Sequence, residues 1–158
     1  MKITIERILT KEHAEALRVL RNECAEWMTR DTAQITPDQQ AVFFREKIAG
    51  GLVEGFLMLD GAEPVAYGVL VPDDEGRVWS STGVKASRRG QGLGRAATIE
   101  NIKRAHARGV PIWAEVRTDN VGQQRICRTV GYRVIESAVV GEVPVDVMRC
   151  DELARAYA

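Results

Sequence analysis

The segment Ser87–Ala97, SRRGQGLGRAA, sets two arginines beside glycines at 90, 92 and 94 and then runs into small helix formers. Glycine loses more chain entropy on folding than any other residue, so three at alternate positions need a physical reason. A loop feeding a helix N-terminus supplies one. First-turn N–H groups lack intrahelical partners, the helix dipole adds partial positive charge, and glycine lets the backbone converge on a bound anion. With Arg88 and Arg89 alongside, the predicted chemistry is capture of a phosphate-bearing ligand, a pyrophosphate above all. A P-loop is excluded because no Lys-Ser/Thr pair follows the glycines. A dinucleotide fingerprint is excluded because the glycines alternate and the preceding strands are joined as hairpins.

Two carboxylates stand within predicted strands. Glu115 lies in PIWAEVRTDN, after the loop's helix, and Glu54 lies in LVEGFLMLD. Both stand among apolar residues, and burial raises a carboxylate's pKa. The strand before the loop, RVWSSTGV, carries no carboxylate. Cys127, in QRICRTVGY, offers a thiol of ordinary pKa about 8.5 as a proton donor; packing as a small buried hydrophobe explains it equally. Cys24, Cys127 and Cys150 form no C-x-x-C, and with only two histidines no metal site is expected.

The elements that must position these groups follow from periodicity. KITIERI reads as a first strand. Leu17, Leu20, Cys24, Trp27 and Met28 recur at helical steps, predicting a helix over Lys11–Met28. A second helix starts with Thr36 as N-cap and Pro37 at its first position, and stops at Gly50 or Gly51. LVEGFLMLD and PVAYGVLV flank an Asp60-Gly61 turn, and RVWSSTGV makes a third strand. LGRAATIENIKRAHARG is a helix, VPIWAEV a strand, DNVGQQRICRTVG a helix capped by Asn120 and closed by Gly131, and YRVIESAVV and VPVDVMRC a last strand pair. The fold class is therefore α/β, a mostly antiparallel sheet of about seven strands with helices on both faces, within one domain spanning residues 1–158.

The glycine loop resembles the signature of the GCN5-related N-acetyltransferase superfamily, R/Q-x-x-G-x-G/A, met by Arg89, Gly92 and Gly94, with Val84 at the end of the preceding strand. A second family motif runs from an Asn to Gly-Phe or Gly-Tyr, here Asn120 to Gly131-Tyr132. The resemblance implies acetyl-coenzyme A as co-substrate and acetyl transfer to an amine. It also implies strands that splay apart around the pantetheine arm. Carried over, Thr82, Gly83 and Val84 offer backbone contacts to that arm; Arg89, Gly90, Gln91, Gly92, Leu93 and Gly94 hold the pyrophosphate; Asn120 lies near the thiol end, although Asn is a good N-cap in any case. Many members place a Tyr where Cys127 stands, to protonate the departing thiolate. Glu115 is the preferred base because its strand borders the cleft, with Glu54 second. A catalytically weak acyl-coenzyme A-binding sensor or interaction module of the same fold is the alternative.

The acceptor side is read from the first two helices. Arg21-Asn22, Met28 and Ile35-Thr36 resemble amino-sugar and ribosomal-protein N-terminal acetyltransferases, without choosing the substrate. Asn22, Glu23, Arg30 and Asp31 are candidates to meet a polar acceptor, whereas Trp27, Met28, Phe43 and Phe44 are expected in the core. Lys plus Arg equals Asp plus Glu at 22 each, so charge supplies no pull toward nucleic acid. No apolar run reaches signal-peptide or membrane-span length, and the thiols are expected to be free, which together place the chain in the cytoplasm. Expected partners are a small-molecule or peptide amine, with a homodimer left open.

Overall fold

A computed structural model describes all 158 residues. One sheet of seven strands runs through it: β1 (Ile3–Arg7), β2 (Glu54–Asp60), β3 (Glu63–Pro72), β4 (Val78–Val84), β5 (Ile112–Arg117), β6 (Arg133–Val140) and β7 (Val143–Cys150), in spatial order β1-β2-β3-β4-β5-β7-β6. Every neighbouring pair is antiparallel except β4 with β5. The helices are α1 (Lys11–Glu23), α2 (Pro37–Phe43), α3 (Leu93–Ala107) and α4 (Val121–Val130).

Alternation along the strands divides the core into two layers. On β2, Leu57 packs with Leu17 and Leu20 of α1, while Phe56 and Met58 face Leu93 and Ala97 of α3. On β5, Ile112, Ala114 and Val116 join the core under α3 and α4. Trp113, Glu115 and Arg117 therefore lie on the opposite side of the sheet.

Two helices differ from the sequence expectation. The helix over Lys11–Met28 stops at Glu23, and a short 3-10 turn, Ala25–Trp27, follows. The reason lies in its last turn. Arg21 donates to the carbonyls of Asp31 and Ala33, and the Asn22 side chain both accepts from Ile35 N–H and donates to Ile35 C=O. These bonds clamp residues 28–36 into a strap running away from the helix axis. The second helix starts as expected, with a Thr36–Gln39 capping box, but closes with a π turn at Phe44–Ile48. The turn then ends at Gly51, whose φ of +78° suits glycine.

Candidate active site

β4 and β5 pair at only two positions, Val78 with Ile112 and Trp79 with Trp113. Beyond these, β4 stays paired with β3 and β5 with β7, so the two strands part. The gap between them is a cleft of about 1070 Å³ that opens to both faces of the sheet. Thr82, Gly83 and Val84 line its β4 wall, and Glu115 its β5 wall.

The glycine loop closes one end. Gly90 and Gly92 adopt φ of +79° and +84°, with no atom within 4 Å of a Cβ built on Gly90 and only the Arg95 guanidinium, at 4.0 Å, near one built on Gly92. The first amide bonded into α3 is Ala96 N–H, to Gly92 C=O, and Gly92 caps the helix without a side chain. The amides of residues 89–95 accordingly have no acceptor in the protein. The two arginines divide their work. Arg88 ion-pairs with Asp60 at 2.9 Å and Glu63 at 2.6 Å, which hold its charge in the scaffold. Arg89 meets no carboxylate; its one polar neighbour is Cys24 Sγ at 4.0 Å.

Among the candidate cofactor residues, all line the cleft except Gln91, which is exposed at the loop tip. Leu93 lines it with its backbone alone in prospect, since its side chain is 3% exposed in the core with Phe56 and Met58. Gly83 has a packing reason of its own: a Cβ there would lie 2.4 Å from the Tyr67 ring. Asn120 caps α4, its Oδ1 accepting from Gln123 N–H at 3.2 Å, while its Nδ2 makes no bond and the residue lines the cleft.

Three carboxylates compare as follows. Glu54 lies outside the cleft and bridges Arg104 and Arg108. Burial works to raise its pKa, but the two guanidiniums outweigh it and hold the group below its ordinary value. This removes Glu54 from the candidate bases. Asp73 borders the cleft but accepts four hydrogen bonds, from the backbone of Glu75 and Arg77 and the side chains of Arg77 and Trp79. Led by the Trp79 N–H, these hold it down at about 2. Glu115 accepts one bond at each oxygen, from Thr29 Oγ1 at 2.6 Å and Arg30 at 2.8 Å, which leaves acceptor capacity on both. Its side chain is 10% exposed.

Cys127 is fully buried at the cleft wall, and burial pushes its thiol up to about 12. The strap brings together what the sequence kept apart. Trp27 and Met28, expected in the core, line the cleft instead, because the shortened α1 carries them across its mouth. Asn22 and Glu23, proposed for an acceptor, are spent on the strap and on Ala86 N–H. Asp31 bonds within the strap. Tyr132 was read only as the end of a motif; it too lines the cleft.

The model of the acetyltransferase (GNAT) family matches residues 14–132. The chain belongs to this family. It is thus an acyltransferase of the group whose acetyl donor is acetyl-coenzyme A. No curated protein matches the sequence. Similar solved structures agree on the fold at low identity. One is yncA from Salmonella typhimurium, solved with its cofactor acetyl-CoA, at 17% identity and TM-score 0.81, covering 98% of this chain and 97% of that one. The ribosomal-protein-alanine N-acetyltransferase from Brucella melitensis gives 17% and 0.80, covering 96% and 99%. The spermidine N-acetyltransferase from Vibrio cholerae, in complex with CoA and spermine, gives 12% and 0.78, covering 98% and 97%. No helix of this GNAT chain is long and apolar enough to cross a membrane.

Proposed function

We propose that residues 1–158 act as one acetyl-coenzyme A-dependent N-acetyltransferase domain, moving an acetyl group to a primary amine of a small molecule, an amino sugar or a peptide N-terminus. The observation that carries this reading is a cleft through the sheet whose one end presents seven unpaired amides and the free Arg89, and whose other side presents Glu115. The two ends suit a polyanionic donor and a cationic acceptor respectively.

The residues fit the donor. Amides 89–95 and Arg89 bind the pyrophosphate; the open space at Gly90 and Gly92 is where a Cβ would intrude. Thr82, Gly83 and Val84 hold the pantetheine arm along β4, and Asn120 offers its free Nδ2 from the α4 side. The bound donor supplies an acetyl thioester, which an unprotonated amine attacks. Glu115 takes the proton that the ammonium must lose, directly or through water, and Thr29 and Arg30 fix its orientation. Trp27, Met28 and Trp79 form apolar walls for the acceptor. Cys127, with its proton held so tightly, packs the wall rather than donating. That the Vibrio and Brucella enzymes are named for spermidine and a ribosomal-protein alanine supports an amine acceptor here. Three buried, unpaired thiols support a reducing cytoplasmic setting.

The test is thiol release from acetyl-coenzyme A over a panel of polyamines, amino acids, amino sugars and peptides. Turnover on one class is expected. Tight cofactor binding without turnover on any would replace this reading with an acyl-coenzyme A sensor.

A further inference from the structure

The acceptor side of the cleft carries a charge pattern that narrows the amine it can take. Only two carboxylates line the cleft, Asp73 and Glu115. Asp73 is full. Its Oδ1 accepts the Glu75 and Arg77 amides, and its Oδ2 accepts the Arg77 and Trp79 side chains. Glu115 alone keeps acceptor sites, one on the oxygen bonded to Thr29 and one on the oxygen bonded to Arg30. Cations are more numerous. Arg30, Arg77 and Arg117 line the same side, but Arg77 is tied to Asp73, and Arg117 to Asp119 and the Glu26 carbonyl. Arg30 is not tied in this way. Its guanidinium spends one N–H of its five on Glu115, at 2.8 Å, and its side chain is 72% exposed.

This pattern sorts amines by the charge they bring. A polyamine carries several ammoniums, and once the first has taken Glu115 the others meet guanidiniums. A lone ammonium also pays, because the sites it takes lie on the carboxylate that Arg30 already holds, and like charges at that range repel. An amine with an anion of its own escapes the conflict. Its ammonium takes the free sites of Glu115, its carboxylate takes the free N–H groups of Arg30, and neighbouring charges alternate in sign. Because Glu115 and Arg30 are in direct contact, the amine and the anion must also be close together, as they are across the single carbon of an α-amino acid. Trp27, Met28 and Trp79 line the surroundings, and the Trp79 N–H is spent on Asp73, so the remainder of the ligand meets apolar surface.

We infer that the amine this cleft takes is a free α-amino acid with an apolar side chain, its ammonium on Glu115 and its carboxylate on Arg30. This rests on the reading of the cleft as an N-acetyltransferase site and chooses among the amines that reading leaves open. A peptide N-terminus or an amino sugar has no anion beside its amine and leaves the Arg30 donors to water. The strap acquires a task as well. Arg21 and Asn22 turn the chain out of α1, and residues 29 and 30 thereby reach Glu115 from across the cleft. Arg30 is then a specificity-determining residue, and Thr29 a positioning one.

The experiment measures binding before turnover. Calorimetry is run at about pH 7, where alkyl ammoniums stay protonated, on the protein saturated with coenzyme A, which has no acetyl group to transfer. L-leucine and L-phenylalanine are compared with isoamylamine and phenethylamine, the same molecules without the carboxylate, and with spermidine. Each amino acid is expected to bind about 10- to 100-fold more tightly than its amine, with spermidine weakest. Arg30→Gln should remove most of that preference while the two amines change little, and Arg30→Lys should restore part of it. The side chain is largely in solvent, so both variants are expected to fold. Amines that bind as tightly as the amino acids overturn the inference, as do spermidine binding tightest, failure of both amino acids to bind, or an Arg30→Gln loss shared equally by amino acids and amines. Thiol release from acetyl-coenzyme A then separates the two readings. Selective binding of the amino acids without turnover upholds this inference and replaces the acetyltransferase with a sensor. Turnover of polyamines or peptides with none of amino acids keeps the acetyltransferase and overturns this inference alone.

Discussion

Arg88 and Arg89 are neighbours in sequence, and the structure gives them opposite tasks that substitution can separate. Arg88 holds Asp60 and Glu63 of the β2–β3 hairpin, whereas Arg89 has no anionic partner and faces the cleft. A charge-assisted hydrogen bond to phosphate is worth about 1.5–3 kcal/mol. Arg89→Gln should therefore weaken acetyl-coenzyme A binding about 10- to 150-fold at low salt. The melting temperature of the free protein should stay where it was, because no ion pair is lost. Arg88→Gln should do the reverse, lowering the melting temperature modestly, since its pairs are partly solvated and correspondingly weak, while leaving affinity close to normal. Calorimetry with acetyl-coenzyme A gives the affinities and thermal melts give the stabilities. S-acetylpantetheine supplies the control, because it keeps the thioester arm and lacks the pyrophosphate. Equal losses of affinity in the two variants would refute the division. So would an Arg89→Gln loss that persisted undiminished with S-acetylpantetheine.

Gly83→Ala drives a methyl into the buried Tyr67 ring and against Cys24 Sγ at 2.9 Å. Overpacking of this kind costs about 1–3 kcal/mol, and the melting temperature should fall by roughly 2–4 °C for each of those kcal/mol in a chain of this size, with or without ligand. Glu115→Gln should lower kcat by about 10²- to 10⁴-fold in the thiol-release assay while acetyl-coenzyme A affinity is retained, and unchanged turnover would remove Glu115 as the base. Cys127→Ala should cost about 1–3 kcal/mol through the small cavity it leaves and keep most of the turnover; a loss comparable with that of Glu115→Gln would restore the thiol as an acid. Asp73 is held at about 2 when folded against an ordinary 3.8, so its contribution to stability is present above about pH 4 and is lost as pH falls toward 2. Asp73→Asn should flatten the acid limb of a melting-temperature profile in that window, and an unaltered limb would show that the Trp79 and Arg77 bonds do not set it.

The strands and the loop were legible because their causes are local. Loose alternation suggested β1, apolar runs bounded by turn residues placed β2 through β5, Asp60-Gly61 placed the hairpin, and glycine's tolerance of positive φ marked the loop before any fold was known. The strap was not legible because its causes are distant. Thr29 meets Glu115 across 86 positions of sequence, and Arg30 meets it beside Thr29, so the segment that carries Trp27 and Met28 is held at a cleft rather than in a core. Periodicity could say that these residues were apolar at helical spacing, and it had no means of knowing that Arg21 and Asn22 would end the helix ahead of them. Glu54 failed for the same kind of reason. Its apolar sequence neighbours suggested a raised pKa, whereas Arg104 and Arg108, one turn apart on α3 and just beyond it, decide its charge.

The point where β4 and β5 part is itself held by the side chains that flank it, and this links the scaffold to the chemistry. Trp79 and Trp113 form the last paired register, their rings 5.8 Å apart and tilted. The Arg77 guanidinium lies 5.4 Å from each ring, Arg149 lies 5.3 Å from Trp113, and Asp73 accepts the Trp79 N–H at 2.9 Å. Parallel pairing is weaker per residue than antiparallel pairing, so two registers alone are a poor fastening for strands that separate immediately afterwards. The stacked rings and cations add cohesion where the backbone supplies least. They stand where the gap begins, with Ser80 and Ala114 the next residues along its two walls. Loosening the stack would remove the side-chain fastening beside the only two paired registers of β4 and β5 and let the gap lengthen.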